Sequence, residues 1–222
     1  PVLTPTLSAL WIHLISPVPT SIALPLTEGL TSDAVCTENR IQSIIPQNLL
    51  SCREAIRLAL DRLKQEKVDT CWMDAGDLLE PEWAHCGDAD WAGGTIMTCG
   101  YRAQIEATAE DVWQAVSQIG GKKGWYFGNY LWRLRGIMDR LAGGVGLRRG
   151  RRHPSEIGVG DALDFWRVLE VEPARRLLLV AEMKTPGEAL LEFQITPQAS
   201  GQVELQMLSR FLPKGLLGIL YW

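Results

Sequence analysis

Residues 143–166, GGVGLRRGRRHPSEIGVGDALDFW, put Arg148, Arg149, Arg151 and Arg152 within five positions, between two glycine-rich turns. His153 follows at once, then a strand-like run with Asp164 and Trp166. Guanidinium groups at this density suit three chemistries. They displace counterions from nucleic-acid phosphates, hold a phosphate or carboxylate of a small ligand in bidentate fashion, or pair with acidic protein surface. From Lys122 to Arg152, nine basic residues stand against Asp139 alone, in a chain of net charge −4. An acidic chain without a nucleic-acid fold signature argues against nucleic acid. Pairing with acidic protein is therefore the expected use of the bend, and an anionic ligand held by Arg149 is the alternative. GGVG is a weak phosphate signal, because it follows a helix whereas nucleotide loops join a strand to a helix.

A second cluster is aromatic: Trp125, Tyr126, Phe127, Tyr130 and Trp132 join two helical runs. It suits core packing or the wall of a cavity, since small-molecule pockets are mostly apolar with a few placed polar groups. Strict alternation puts Asp164 on one face with Trp166 and Val168, aimed inward, whereas Glu182 and Lys184 oppose Ala181 and Met183 and read as solvated. The candidate ligand-binding set is Trp125, Tyr126, Trp132 and Trp166 as walls, with Arg149 or Asp164 orienting the ligand. His153 reads as an idle loop histidine and His13 as a satisfied buried one. No nucleophilic triad or metal cluster is present, and the candidate catalytic and metal sets are empty. Cys36, Cys52, Cys71, Cys86 and Cys99 include no C-x-x-C pair. They read as reduced thiols in a cytoplasmic protein.

The elements that must position these residues follow from the pattern. LWIHLI (10–15) reads as a buried strand, TSIALPLTEGL as a short helix interrupted at Pro25, and SDAVCTEN as a brief strand and turn. LLSCREAIRLALDRLKQ has a helical period, with Ser51 and Glu54 as a capping box. Residues 66–94 hold eight acidic residues against Lys67, with Trp72, Trp83 and Trp91 among them. That is a linker by composition, and its tryptophans point to a segment lying on a surface.

From Thr95 the pattern is that of a domain. MTCGYRAQIEA alternates, with Tyr101, Ala103 and Ile105 on one face. TAEDVWQAVSQIGG is a helix with Thr108 as N-cap and a stripe of Val112, Trp113, Val116 and Ile119. GNYLWRLRGIMDRLAGG is a second helix. Four strand-like runs follow, DALDFWRVLEV, RRLLLVAEM, EALLEFQIT and QVELQMLSRF, with short turns between them. They predict an antiparallel meander with one buried face that the helices cover, an α+β class. The length, 222 residues with 46% hydrophobic content, allows one large domain or two small ones. The apolar stretch near the start is broken by three prolines and reads as neither signal peptide nor membrane span. A start at Pro1 and an end within LPKGLLGILYW read as a piece cut from a longer chain.

The run WYFGNYLWRLRGIMDRLAGGVGLRRGRR…VGDALDFWRV…EMKTPGEALLEF resembles a domain of unknown function fused behind an atypical short-chain dehydrogenase in bacterial proteins. The resemblance covers nearly all of residues 92–222. It implies a helix-grip (START-like, SRPBCC) fold with a ligand cavity between a curved antiparallel sheet and a C-terminal helix. Residues 10–63 are similar to the substrate-side lobe of an NmrA-like or epimerase-like dehydrogenase. This implies a division into a dehydrogenase remnant (1–65), an acidic linker (66–94) and a helix-grip domain (95–222). No G-x-G-x-x-G follows a strand, so no cofactor is expected in this chain and NAD(P) belongs to the parent protein, an oxidoreductase or epimerase. The expected partners are a small apolar or amphipathic ligand and the parent's dehydrogenase domain, in a domain that binds a ligand or docks over the dehydrogenase active site.

Overall fold

The computed structural model describes residues 4–16, 18, 20–33, 35, 37–38, 40–64, 78, 80–81, 83, 94–147, 150–199 and 201–222. The chain divides into two compact units, Pro1–Lys67 and Val68–Trp222.

The first unit is helical. α1 (Pro5–Ile15) starts with proline in its first turn and with the Thr4 hydroxyl accepting the Leu7 N–H at 3.4 Å. The run expected as a strand at 10–15 lies inside this helix. A short apolar run has no period that separates a strand from a buried helix, and the Thr4-Pro5 start signal decides it. α2 (Thr20–Gly29) continues through Pro25 instead of stopping there. Beside the proline, the Thr27 hydroxyl donates to the carbonyls of Ala23 and Leu24, each at 2.9 Å. α1 and α2 pack on each other, with Ala9 and Ala23 buried. His13, expected to be buried, is exposed, and its Nδ1 meets the Val18 carbonyl at 3.1 Å. The described residues of SDAVCTEN form no strand. After α3 (Arg40–Ile44), α4 (Cys52–Lys64) begins with the expected capping box: the Ser51 hydroxyl accepts the Glu54 N–H, and the Glu54 carboxylate accepts the Ser51 N–H. Its apolar residues Ile56, Leu58 and Leu60 are exposed.

The second unit is α+β. β1 (Met97–Ile105), β2 (Ala162–Leu163), β3 (Trp166–Glu172), β4 (Arg176–Ala181), β5 (Gly187–Pro197) and β6 (Val203–Pro213) form one antiparallel sheet of order β1-β6-β5-β4-β3-β2. Three helices accompany it: α5 (Ala109–Ser117), α6 (Asn129–Leu141) and α7 (Gly215–Tyr221). Register places Leu177, Phe193, Met207 and Tyr101 in one row across the sheet, and Leu179, Leu191, Ser209 and Cys99 in the next. This inner face forms the main core with Val112, Val116 and Ile119 of the α5 segment. α5 opens as expected, with the Thr108 hydroxyl accepting the Asp111 N–H at 3.2 Å.

The outer face is less solvated than alternation predicts. Leu169, Leu178, Val180 and Leu190 form a small second core there, and Trp83 packs on it while donating its indole N–H to Glu188 at 2.8 Å. Trp83 thus lies on a surface of its own domain. The other two linker tryptophans, Trp72 and Trp91, lie outside the described residues. Glu192, 3% exposed, sits diagonally between β4 and β6 neighbours. It accepts Arg176 at 2.6 Å and Arg210 at 3.2 Å, and Arg176 also reaches Glu170 at 2.6 Å. Burial pushes the Glu192 carboxyl upward. Hydrogen bonds from Gln194 and Arg176 and the charges of Arg176 and Arg210 outweigh burial, so the net shift is downward.

Replacing Glu192 with alanine leaves two arginines without their shared anion. Both keep partial solvent access, so the expected destabilisation is the lower end of the roughly 3–5 kcal/mol seen for broken buried pairs. A group with a depressed folded pKa stabilises above its unfolded value and loses that contribution as pH falls through the folded one. The melting temperature of E192A should therefore lie well below wild type at pH 7, with the gap narrowing as pH falls below the ordinary glutamate range. Equal melting at pH 7 would show that the network contributes nothing.

Candidate functional site

Between the two helical runs the chain turns through Gly120, Gly121 and Gly124, all at positive φ. A Cβ on Gly121 would lie 2.9 Å from that of Arg151, so both conformation and space require glycine there. The turn is held by Asp164. Its carboxylate accepts the Gly121 N–H at 3.3 Å and the Trp125 indole N–H at 2.9 Å. Asp164 is not a strand residue, as alternation predicts. It occupies a tight turn between β2 and β3 at φ 57°, a left-handed conformation that Asp tolerates better than most residues. It is 5% exposed, and burial raises its carboxyl above the usual range despite the hydrogen bonds from Trp125 and Gly121.

Trp125 stands at the centre of an aromatic cluster. Its ring centroid is 5.0 Å from Trp132, 6.5 Å from Phe165 and 6.2 Å from Trp166. Trp132 opens α6's inward stripe, continued by Arg135, Gly136 and Asp139 at helical spacing. Gly136 is required because a Cβ there would meet the Leu147 side chain at 2.7 Å. Asp139, 3% exposed, closes the stripe. Its carboxylate accepts the N–H of Gly146 at 2.7 Å and of Lys184 at 2.5 Å. The GGVG loop therefore wraps this chain's own carboxylate, and the Gly146 amide is not offered to a phosphate.

Between these two anchored ends of α6 lies a groove of about 430 Å³. α6 and its approach supply Phe127, Leu131, Trp132 and Arg135; the sheet supplies Trp166, Ala189, Ser209 and Phe211; α7 and the last residue supply Tyr221 and Trp222. Phe211 stacks on Trp222 at 5.6 Å with 5° between planes, and lies 5.5 Å from Tyr221. The Arg135 guanidinium lies 4.6 Å from the Tyr221 ring centroid and donates to the Met183 sulfur at 3.2 and 3.0 Å. Burial lowers the pKa of Arg135, and the charge of Asp139 opposes this.

Of the residues singled out in the sequence, Trp132 and Trp166 line this groove. Trp125 packs behind them, and Asp164 braces Trp125 without reaching the groove wall. Tyr126 turns away, 55% exposed, with its hydroxyl on the Ala115 carbonyl at 2.9 Å. Arg149 and Arg148 lie outside the described residues. The other half of the arginine bend has local protein partners. Arg152 makes a bidentate pair with Asp161 at 3.1 and 3.2 Å, and Arg151 donates to the carbonyls of Ile119, Glu156 and His153. An acidic partner of Arg152 is thus Asp161, nine residues on. His153 accepts the N–H groups of Ser155 and Glu156 at Nδ1, a turn cap. Glu182, read as solvated, takes a bidentate pair from buried Arg167.

Sequence reasoning missed Arg135, Phe211, Tyr221 and Trp222. The spacing Trp132, Arg135, Asp139 on one helical stripe was a usable signal for the first. Phe211 required the β5–β6 register. Among the described residues no cluster of three His, Cys, Asp or Glu is placed to hold a metal ion, and no helix is long and apolar enough to cross a membrane.

Fold and geometry define an α+β domain with a partly open aromatic groove on the inner face of an antiparallel sheet, consistent with a helix-grip-like arrangement. Residues 91–222 match the family described as "Protein of unknown function (DUF2867)", and the chain belongs to that family. The match does not reach residues 1–65, where the dehydrogenase-like reading was placed. No curated protein matches the sequence. Among solved structures the chain is similar to CalU16 from Micromonospora echinospora, at 15% identity and TM-score 0.32, covering 56% of this chain and 66% of that one. DynU16, a putative protein in the dynemicin biosynthetic locus, is similar at 17% identity and TM-score 0.33, with 55% and 41% covered. PFC0360w, an HSP90 activator from Plasmodium falciparum, is similar at 9% identity and TM-score 0.34, with 56% and 83% covered.

The Asp164 anchor makes a testable claim. D164A leaves the Trp125 N–H and the Gly121 amide without their acceptor, at an expected cost of about 1–3 kcal/mol. D164N keeps an acceptor and the left-handed tolerance and should stay closer to wild type. A raised folded pKa means the wild-type contribution is full below the ordinary aspartate range and is lost as pH rises through the folded value. Thermal melts should therefore show D164N gaining on wild type from acid to neutral pH. A constant difference across that range would refute the buried-charge account.

Proposed function

We propose that residues 95–222 form a helix-grip domain that binds a small apolar or amphipathic molecule in the groove between α6, α7 and the inner sheet face. The observation carrying this reading is the groove itself. At about 430 Å³ it falls within the roughly 300–1,000 Å³ typical of small-molecule pockets. Its wall is aromatic and aliphatic with few polar groups, the composition such sites favour. Trp132 and Trp166 act as walls, Trp125 supports them from behind, and Asp164 fixes Trp125. The dehydrogenase-like reading of residues 1–65, with NAD(P) in a parent protein, is separate from this proposal, since none of the described groove residues lies before Phe127.

Native mass spectrometry of the purified chain beside its denatured mass comes first, and a retained small mass lost on denaturation is the expected result. Titration with the neutral fluorophore N-phenyl-1-naphthylamine should then give saturable one-to-one binding. Filling the groove with A189F, or independently with S209L, should weaken that binding at least about tenfold, equivalent to ~1.4 kcal/mol. Melting temperatures of both variants report whether the fold survives. Saturable binding that neither folded variant alters would place the ligand elsewhere and overturn the proposal, as would absence of both retained mass and saturable binding.

A further inference from the structure

We propose that the groove takes an amphipathic carboxylate, with its apolar body on the aromatic wall and its carboxylate on the Arg135 guanidinium. This deepens the ligand-binding reading above and rests on it. The argument comes from what the polar groups of the groove can and cannot do.

The charged group at the groove is a donor. Arg135 offers five N–H donors and no acceptor. Its contacts are the Met183 thioether and the Tyr221 ring face. A thioether is a weak acceptor, and a ring face supplies attraction without taking up the guanidinium fork. No ion pair involves Arg135 among the described residues, whereas Arg152, Arg167, Arg176 and Arg210 each pair with a carboxylate. Asp139, one turn further along α6, is the nearest candidate. Its carboxylate is instead engaged by the Gly146 and Lys184 amides.

Trp166, which lines the groove, also keeps a buried indole N–H with no hydrogen-bond partner among the described residues. A buried donor without an acceptor is uncommon and calls for an explanation. The hydroxyl of Thr185, also at the groove, already donates to the Gly187 carbonyl at 2.7 Å. Among the described residues no Asp or Glu lines the groove.

An apolar wall with one positive charge, held only by a weak acceptor and a ring face, matches a ligand that is apolar in body and acceptor-bearing at one end. A carboxylate fits this best, because its two oxygens take the planar guanidinium fork in bidentate fashion. Replacing a thioether by a carboxylate exchanges a weak acceptor for a charge-assisted one. Burial chiefly lowers the pKa of Arg135, against the opposing charge of Asp139.

The test displaces bound N-phenyl-1-naphthylamine from the full chain at pH 7 with dodecanoate or with 1-dodecanol, which share an alkyl body and differ at the head. Dodecanoate should bind about tenfold to a hundredfold more tightly, as expected for hydrogen bonds to charged groups. R135M should abolish that preference by weakening dodecanoate far more than dodecanol, and R135K should retain part of it. If dodecanol displaces the fluorophore as well as dodecanoate does, the carboxylate proposal falls and the pocket reading stands. The same holds if folded R135M keeps the full preference. If the fluorophore itself shows no saturable binding, the pocket reading fails and this inference with it. The wild-type comparison does not depend on any variant folding.

Discussion

The inner face of the sheet can remain concave only if α6 is held over it at both ends without collapsing onto it. Two buried carboxylates meet that constraint. Asp164, in the β2–β3 turn, takes the Gly121 amide and the Trp125 indole just before α6. Asp139, in the last turns of α6, takes the amides of Gly146 and Lys184, tying the helix to the loop after it and to the β4–β5 connection. Each places an unsatisfied backbone or indole donor against an acceptor that cannot leave, which is how a buried polar group becomes a fixed point and not a cost. Between the anchors, Trp132 and Arg135 project into a space that no core side chain fills. The groove is the remainder left by this geometry.

Much of the secondary structure was legible in the sequence, for a physical reason in each case. The Thr108 and Ser51 caps announced α5 and α4 because capping is local chemistry. The order of the β3–β6 meander followed from short turns, which leave successive strands no choice but antiparallel pairing. What was not legible depended on events at single residues or across the sheet. DALDFWRV looked like one continuous strand, and the left-handed Asp164 breaks it into a hairpin with two-residue turn. That break reverses the alternation argument, although Asp164 is buried all the same. LWIHLI carried no period to contradict a strand, and the helix start lay five residues earlier. Trp132 and Trp166 line the groove. Tyr126 left it because its backbone turns at φ 57°, an outlier no pattern of residue types announces.

The outer face shows how far local alternation falls short of a two-sided sheet. Polar residues there were read as a solvated surface, yet Leu178 and Leu190 are fully buried and Glu192 is nearly so. Trp83 contributes to the difference, since it packs on the leucine cluster of that face and its indole donates to Glu188. A residue from an acidic, Trp-bearing segment thus changes the environment of strands more than ninety positions away. Once the face is partly covered, its charges can persist only in pairs. Arg176, Arg210, Glu170 and Glu192 form the diagonal network that makes this possible.

The same logic resolves the concentration of basic residues between Lys122 and Arg152. Charge density at a bend says little until each guanidinium's partner is known. Arg151 is taken up by three carbonyls and Arg152 by Asp161, so these two arginines are structural fasteners for the loop before β2. Arg135 belongs to the same basic stretch but to a helix, and helical spacing carries it away from the bend and into the groove. The informative arginine is therefore not in the densest cluster. It is the one whose guanidinium contacts are a thioether and an aromatic ring, since a part-buried charge with no ion pair among the described residues is the arrangement that folding alone gives least reason to keep.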